Sequence, residues 1–222
     1  MKNKDKIVVL TSITGDKDNL IDKQKTRGAK FVAFTDSEKK SKTWEIRPAC
    51  SIFKDRRRNC KPPKLAPQLY VDADISLWID ANVKLKVPVT KLIKDWLDKD
   101  TDIVVFSHST RDCLYKEAGI EMALGKAEPS IVKQELEQYK KEGYPTHYGL
   151  VETNMILRRH NKKTKNFNNA WLAQFTRYAQ RDQKTFCYIA WKSDATIKYL
   201  DENIRQHPCF EYLDHLDGRA YL

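Results

Sequence analysis

ISLWIDANVKL, residues 75–85, is the stretch that decides the fold. Its first five residues are apolar or small, which is typical of a short strand buried on both faces of a sheet. The strand then runs into Asp80, a small residue and Asn82. Asp and Asn are also common in ordinary turns, because their side chains bond to nearby backbone groups. The stretch alone therefore leaves open whether Asp80 and Asn82 belong to a turn or to a site.

Three other short apolar runs resemble the one before Asp80, at residues 6–15, 30–36 and 102–108. Each is bounded by polar or turn residues, as expected for strands of an α/β sheet. Apolar residues at three- and four-residue spacing predict helices at 89–99, 130–141, 168–180 and 182–192. This order predicts one α/β domain over residues 1–222, with a mostly parallel central sheet flanked by helices.

The composition excludes several classes of protein. Hydrophobic residues make up 41% of the 222 residues and charged residues 32%, which fits a soluble globular chain. No apolar run approaches the roughly 18 residues of a membrane span, and the run after the basic N-terminus is too short for a secretory signal. The five cysteines are scattered and form no C-x-x-C pair, so they predict neither a disulfide framework nor a zinc site. These features predict a cytoplasmic protein.

Most of the excess in the formal net charge of +11 is concentrated in two short segments. The first basic segment is KDRRRNCKPPK (54–64) and the second is RRHNKKTK (158–165). Such clustering is typical of proteins that bind a polyanion or a phosphate-bearing substrate, although charge runs also occur on ordinary solvated surfaces. The candidate nucleic-acid contacts are Arg56, Arg57, Arg58, Arg158, Arg159, Lys162 and Lys163.

Polar side chains recur where the predicted strands end. In open α/β sheets, ligands bind beyond the carboxyl ends of the strands. Three successive strand ends with polar groups therefore indicate a site rather than unrelated turns. The residues concerned are Thr11, Ser12, Thr14, Thr35, Asp36, Asp80 and Asn82.

Seven motifs in order resemble a hexosyltransferase-like family first catalogued as a domain of unknown function, whose known plant members are Golgi proteins linked to mucilage and turgor. The motifs are VVLTSITGDKDNL (8–20), FVAFTD (31–36), TWEIRPA (43–49), PKLAPQLYVDADISLWIDANVKL (63–85), FSHSTRDCLYKEA (106–118), GLVETNMILRRHN (149–161) and RYAQRDQKTFCYIAWK (177–192). The family is similar to GT-A glycosyltransferases. The resemblance implies a GT-A-like, Rossmann-like domain with a nucleotide-binding part over about 1–100 and an acceptor or sugar part over about 101–222.

The resemblance also implies a metal site at an Asp-x-Asp motif, where Mn²⁺ or Mg²⁺ would neutralise the diphosphate of a nucleotide-sugar. The matching residues are Asp80 and Asn82, with His207 or His215 as a further ligand. Asn82 departs from the Asp-x-Asp pattern and carries less charge, which weakens the expected metal dependence. Asp72 and Asp74 form a literal Asp-x-Asp and are the alternative. The position of Asp80 at a carboxyl strand end favours Asp80 and Asn82.

The remaining site residues are also implied by the resemblance. Thr11 and Asp36 would flank the base and ribose, and Lys64 would lie near the phosphates. Arg181 and Gln183 would contact the donor beside Asp182, which would bind the donor sugar or act as a base and would also cap the last helix. The acceptor or sugar side would contain His108, Arg111, Glu117, Glu152 and Asn154. An ordinary ion pair at a helix N-terminus is the alternative for Arg111 and Glu117.

The function predicted from the resemblance is transfer of a hexose or pentose from a UDP-sugar-type donor. Two acceptors stay open. A modified base in DNA would use the basic segments to hold phosphates, whereas a glycan or lipid-linked acceptor would leave those segments for diphosphate groups. Outside the enzyme class, the alternative is a noncatalytic nucleic-acid-binding protein that stacks bases on Tyr144, Tyr148, Phe167 and Trp171.

Overall fold

The computed structural model describes residues 5–15, 18–178 and 181–213. Its strands are β1 (Ile7–Ile13), β2 (Lys30–Thr35), β3 (Glu45–Pro48), β4 (Ile75–Ile79), β5 (Val83–Leu85), β6 (Ile103–Ser107), β7 (Val151–Arg159), β8 (Ile197–Leu200) and β9 (Phe210–Tyr212). Its helices are α1 (Arg56–Asn59), α2 (Pro62–Leu65), α3 (Val89–Trp96), α4 (Leu114–Ala123), α5 (Pro129–Lys141), α6 (Lys162–Arg177) and α7 (Asp182–Lys192), with a 3₁₀ turn at Pro67–Leu69.

Seven strands form one sheet in the order β3-β2-β1-β4-β7-β6-β8, and β5 pairs with β9 in a small second sheet. Pairing within the large sheet is parallel except around β7, which runs antiparallel to both β4 and β6. The carboxyl ends of the other six strands therefore lie at one edge, which we call the carboxyl edge, together with the beginning of β7. The opposite edge is the amino edge. The mostly parallel sheet predicted from the sequence is confirmed.

The strands form because both faces of the sheet are covered. Along β1, Val8 and Leu10 contact one hydrophobic cluster, whereas Val9 contacts the cluster on the other face. In β4, Trp78 likewise contacts the first cluster, and Leu77 contacts the cluster on the other face. Burial on alternate faces explains why these strands are continuous apolar runs rather than alternating patterns.

The four predicted helices are observed as α3, α5, α6 and α7, whereas α1, α2 and α4 were not predicted. Helix α5 begins at Pro129, one residue before the predicted beginning, with Glu128 as its N-cap. Helix α6 begins earlier than predicted, because Asn161 caps it by accepting a hydrogen bond from the Thr164 N–H. Within the described part of the chain, none of the helices combines the length and apolar character needed to span a membrane.

Candidate active site

The site is built at the carboxyl edge, where Asp80 follows the last residue of β4. The Asp80 N–H donates to the carbonyl of Asn154 at 2.9 Å, which fixes Asp80 against β7. The Trp78 indole donates to Asp80 Oδ1 at 2.8 Å. Because β7 is antiparallel, its first residues lie at this edge, and they bring Thr153 and Asn154 beside Asp80.

Lys64 lies beneath Asp80 on the short helix α2. Its Nζ is 2.6 Å from Asp182 Oδ2, 3.1 Å from Thr153 Oγ1 and 3.5 Å from Asp80 Oδ1. A lysine ammonium has three N–H donors, so these three contacts use all of them. The Lys64 side chain is only 2% exposed. Lys64 is therefore an internal cation that joins two carboxylates from different parts of the chain.

Asp182 has a separate lysine at each carboxylate oxygen. Its Oδ1 accepts from Lys61 Nζ at 2.8 Å, and its Oδ2 accepts from Lys64 and from Thr153 Oγ1 at 3.0 Å. Burial by itself would raise the pKa of Asp182, but Lys61 and Lys64 outweigh burial and hold this pKa well below its usual range. We call Lys61, Lys64, Asp80 and Asp182 the lysine–carboxylate cluster.

The low pKa bears on the role of Asp182. A general base works best when its pKa lies near the working pH, and a carboxylate paired with two lysines is a weak proton acceptor. The arrangement therefore argues against the role of Asp182 as a base. Helix α7 begins at Asp182 with Arg181 as its N-cap, so the predicted N-cap position of Asp182 is wrong by one residue.

The fold and this cluster can be compared with known proteins. Residues 1–206 match the TOD1/MUCI70 glycosyltransferase-like domain. This chain belongs to the TOD1/MUCI70 glycosyltransferase-like family. A relative from Arabidopsis thaliana named "Probable hexosyltransferase MUCI70" is 29% identical over 182 residues, which cover 75% of this chain and 31% of the relative. The chain thus spans about a third of that plant protein.

Three solved structures share the GT-A fold of this TOD1/MUCI70 domain. Mouse xyloside xylosyltransferase 1 has a TM-score of 0.51 at 9% identity, covering 88% of this chain and 85% of that one. The bifunctional glycosyltransferase WbbM has a TM-score of 0.54 at 11% identity, and the match covers 90% of this chain and 39% of WbbM. A glycosyltransferase involved in glycosylation of the PBCV-1 major capsid has a TM-score of 0.50 at 11% identity, and the match covers 88% of this chain and 82% of that one. At these identities the likeness concerns the fold alone.

The two residues predicted to flank the nucleotide, Thr11 and Asp36, differ in their position relative to the strand ends. Thr11 lies within β1, pairs with Ala33 and is fully buried. Its predicted position at a strand end is wrong, because β1 continues to Ile13. Asp36 directly follows β2 and accepts hydrogen bonds from the Gly15 N–H at 3.1 Å and from Arg56 Nε at 3.0 Å. Asp36 therefore holds the loop after β1 at the carboxyl edge.

On the predicted acceptor side, Glu152 accepts from Ser109 Oγ at 3.3 Å and from Asn154 Nδ2 at 3.2 Å. His108 lies at the end of β6, and its Nδ1 accepts from the Thr110 and Arg111 N–H groups at 3.2 Å. Burial and the nearby Arg111 lower the pKa of His108. The beginning of β7 and the end of β6 thus bring Glu152, Asn154 and His108 to one edge.

The other predicted contacts in this half mainly hold the helices. Arg111 Nε is 2.6 Å from Glu117 Oε2, which is the ion pair that the sequence left as an alternative. Arg181 donates to Gln183 Oε1 at 3.4 Å, and Gln183 Nε2 donates to the Val151 carbonyl at 3.1 Å. Gln183 therefore fastens the beginning of α7 to β7.

The predicted metal ligands Asn82 and His207 make hydrogen bonds or ion pairs with other residues of the protein. Asn82 Nδ2 donates to the Leu213 carbonyl at 2.9 Å. Both ring nitrogens of His207 have contacts with other groups: its Nδ1 accepts from the Cys209 N–H at 3.2 Å, and its Nε2 is 2.8 Å from Glu202. Within residues 5–15, 18–178 and 181–213, no three His, Cys, Asp or Glu side chains form a group that could hold a metal ion. These residues alone do not form a complete Mn²⁺ or Mg²⁺ site, and the role of His207 as a ligand stays a prediction. His215 lies outside the described residues.

The literal Asp-x-Asp lies at the amino edge. Asp72 is 2.6 Å from Lys6 Nζ, and Asp74 accepts the Lys6 N–H at 2.7 Å. Both contacts are made just before β1 and β4 begin. The structure thus confirms that Asp72 and Asp74 are remote from the carboxyl edge.

The two basic segments lie at opposite edges of the sheet, so they do not border one cleft. Arg159 pairs with Ile75 at the beginning of β4, whereas Asp80 follows its end. Arg158 is fully buried, and Arg159 donates to the Leu97 carbonyl at 2.9 Å. Lys162 and Lys163 are exposed at the amino edge. The prediction that both basic segments form one nucleic-acid-binding surface is therefore wrong.

The three arginines of the first basic segment make ion pairs or aromatic contacts with other residues of the protein. Arg56 pairs with Asp36, and Arg57 pairs with Asp55. The Arg58 guanidinium lies 4.1 Å from the Phe53 ring centre and 5.3 Å from that of Phe175. The predicted base-stacking surface is also wrong, because three of its four aromatic residues are buried: Tyr144, Phe167 and Trp171.

Lys61 and Thr153 were missed by the sequence analysis. Lys61 precedes Lys64 by three residues, which is the spacing of side chains on one helical face, and this signal was available in KPPK (61–64). Thr153 could be found only from the register of β4 and β7, in which Ile79 pairs with Met155.

Proposed function

We propose that this domain is a nucleotide-sugar-dependent glycosyltransferase that transfers a hexose or pentose from a UDP-sugar-type donor. The observation that carries the proposal is the lysine–carboxylate cluster at the carboxyl edge of a GT-A sheet. This edge is where α/β folds bind ligands. The plant relative's name supports a sugar-transfer reaction for the same family.

The cluster has the chemistry that the reaction needs. Transfer breaks the bond between the anomeric carbon and the diphosphate and forms a new bond to an acceptor hydroxyl. Negative charge develops on the departing diphosphate, and fixed cations at that point lower the barrier. Asp182 is ionised, and among the described residues its Oδ1 accepts only from Lys61, so one of the roughly four acceptor positions of the carboxylate remains for a donor-sugar hydroxyl.

We further propose a carbohydrate acceptor rather than DNA. The DNA hypothesis depended on two basic segments beside one cleft, and the segments lie at opposite edges of the sheet. The carboxyl edge instead contains the half-buried Asn154 and His108, with the buried Glu152 bonded to Asn154. These side chains match the hydrogen bonding of sugar hydroxyls better than they match a run of phosphates.

The experiment is a donor panel. The purified chain is incubated with UDP- and GDP-sugars of hexoses and pentoses, with Mn²⁺, with Mg²⁺ or with EDTA, and release of the nucleoside diphosphate is measured. We expect release from one donor class, and stimulation by mono- or oligosaccharide acceptors but not by duplex DNA. Asp182→Asn is the control variant, with release expected to be about 10- to 100-fold lower. Equal background release from the chain and from Asp182→Asn with every donor would contradict the proposal.

A further inference from the structure

The two lysines of the lysine–carboxylate cluster are not equivalent. Lys64 is 2% exposed, and its three N–H donors are used by Asp182, Thr153 and Asp80. A ligand could reach Lys64 Nζ only after one of these contacts was broken. Breaking it would leave a buried carboxylate or cation without its partner, which is costly. Lys64 is therefore an organiser of the site rather than a group that contacts the donor.

Lys61 differs from Lys64 in its exposure and in the number of its N–H donors that are used. Its side chain is 20% exposed, and within the part of the chain that the structure describes its Nζ makes one hydrogen bond, to Asp182 Oδ1 at 2.8 Å. Two of its three N–H donors remain for a ligand. Burial would lower the pKa of Lys61, but the Asp182 carboxylate outweighs burial and raises this pKa, so the ammonium stays charged.

The position of Lys61 relative to Asp182 also matters. If Asp182 contacts the donor sugar, a cation bonded to the same carboxylate lies within reach of the phosphate attached to that sugar. We infer that Lys61 binds the diphosphate of the donor while it remains paired with Asp182. The ligand class is a nucleoside diphosphate. This inference rests on the proposed function and adds to it the residue that contacts the departing group, a role that the sequence analysis gave to Lys64.

The test compares UDP with uridine, and GDP with guanosine, by isothermal titration calorimetry. The wild-type chain, Lys61→Met, Lys61→Arg and Lys163→Met are compared at two salt concentrations. Lys163→Met removes the same charge at the amino edge and is the matched control. Lys61→Met should weaken binding of the preferred diphosphate by about 10- to 100-fold, since charge-assisted hydrogen bonds have this effect. Binding of the nucleoside without phosphates should not change.

Two further readouts separate a phosphate contact from a structural role. Lys61→Arg should retain most of the diphosphate affinity, because a guanidinium also binds phosphate. In the wild type, diphosphate affinity should fall with salt while nucleoside affinity does not, and this measurement needs no variant.

The outcomes distinguish this inference from the proposed function. Wild-type binding of neither UDP nor GDP would remove the proposed function itself. Tight diphosphate binding that is equal in wild type and Lys61→Met would overturn the role of Lys61 and leave the function standing. A parallel loss of nucleoside binding in Lys61→Met would also overturn it, because that result indicates a distorted pocket rather than a lost phosphate contact.

Discussion

Lys64 Nζ lies 2.6 Å from Asp182 Oδ2, and this contact joins the segment before β4 to the beginning of α7. Both side chains are almost fully buried, at 2% and 4% exposure. Two buried charges are stabilising only when they are well paired and further hydrogen-bonded. Here Thr153 and Lys61 supply those additional bonds. The cluster therefore fixes the site before any ligand arrives.

Asp182→Asn should reduce both activity and stability. The change leaves Lys61 and Lys64 facing a neutral amide, and breaking a buried pair in this way costs about 3–5 kcal/mol. Loss of a charged hydrogen-bond acceptor for the sugar should lower kcat/KM by about 10- to 100-fold. Chemical unfolding measures the first effect and initial rates the second. An unchanged free energy of unfolding would contradict the burial of this charge.

The pH dependence of activity separates two roles for Asp182. Lys61 and Lys64 hold the pKa of Asp182 well below its usual range, so the carboxylate stays ionised throughout the neutral range. The profile of kcat/KM should therefore show no acid limb from this group above about pH 5, given the ordinary Asp pKa near 3.9. An acid limb with a midpoint of 6 to 7 that disappears in Asp182→Asn would instead identify Asp182 as the general base.

Asp80→Ala should abolish turnover while the fold persists. Asp80 is tied to the site by its backbone bond to Asn154 and by its side-chain bond from Trp78, and Lys64 keeps Asp182 as a partner after the change. Asp72→Ala is the matched control at the amino edge, where the pair with Lys6 is exposed and screened by solvent. Equal turnover of Asp80→Ala and Asp72→Ala would remove Asp80 from the site.

Much of the fold could be predicted because buried parallel strands are continuous apolar runs. The observed strands β1, β2, β4 and β6 lie within the predicted runs. The prediction missed β7, because Glu152, Asn154 and Arg158 interrupt its apolar residues. Those polar residues are accommodated by side chains from other elements, which the sequence pattern of a single strand does not show.

The site was predicted in part for a similar reason. Asp80, Lys64 and Asp182 belong to recognisable motifs, and the structure brings them together. Lys61 and Thr153 act through contacts between elements distant in the chain, and such contacts depend on register and packing. The error for Thr11 came from a strand that is two residues longer than the polar pattern suggested.

His160 should make stability depend on pH. Burial, and then the nearby Arg158, lower the pKa of His160 from 6.5 to about 4, and its Nε2 is 2.8 Å from Ser76 Oγ. The unfolded chain takes up the proton near pH 6.5, whereas the folded chain resists it until about pH 4. Stability from this group is therefore full above pH 6.5 and is lost as the pH falls toward 4, by at most about 1.4 kcal/mol per pH unit. Urea unfolding from pH 7 to 4 should show a steeper decline for wild type than for His160→Gln.

Arg158 and Arg58, one from each basic segment, should respond oppositely to replacement by methionine. Burial lowers the pKa of Arg158 to about 9, and among the described residues no carboxylate offsets that effect. Its bond to Asn168 Oδ1 is long, at 3.3 Å. An apolar side chain of similar length removes the cost of burying this charge, so Arg158→Met should leave the thermal midpoint unchanged or raise it. The Arg58 guanidinium lies 4.1 Å from the Phe53 ring centre, closer than the 5.5 Å between Arg158 and the Trp171 ring centre. Arg58 also donates to the Phe175 carbonyl at 3.3 Å, so Arg58→Met should lower the midpoint. Thermal unfolding at pH 7 measures both variants. A fall for Arg158→Met that equals the fall for Arg58→Met would show that the buried guanidinium stabilises the fold.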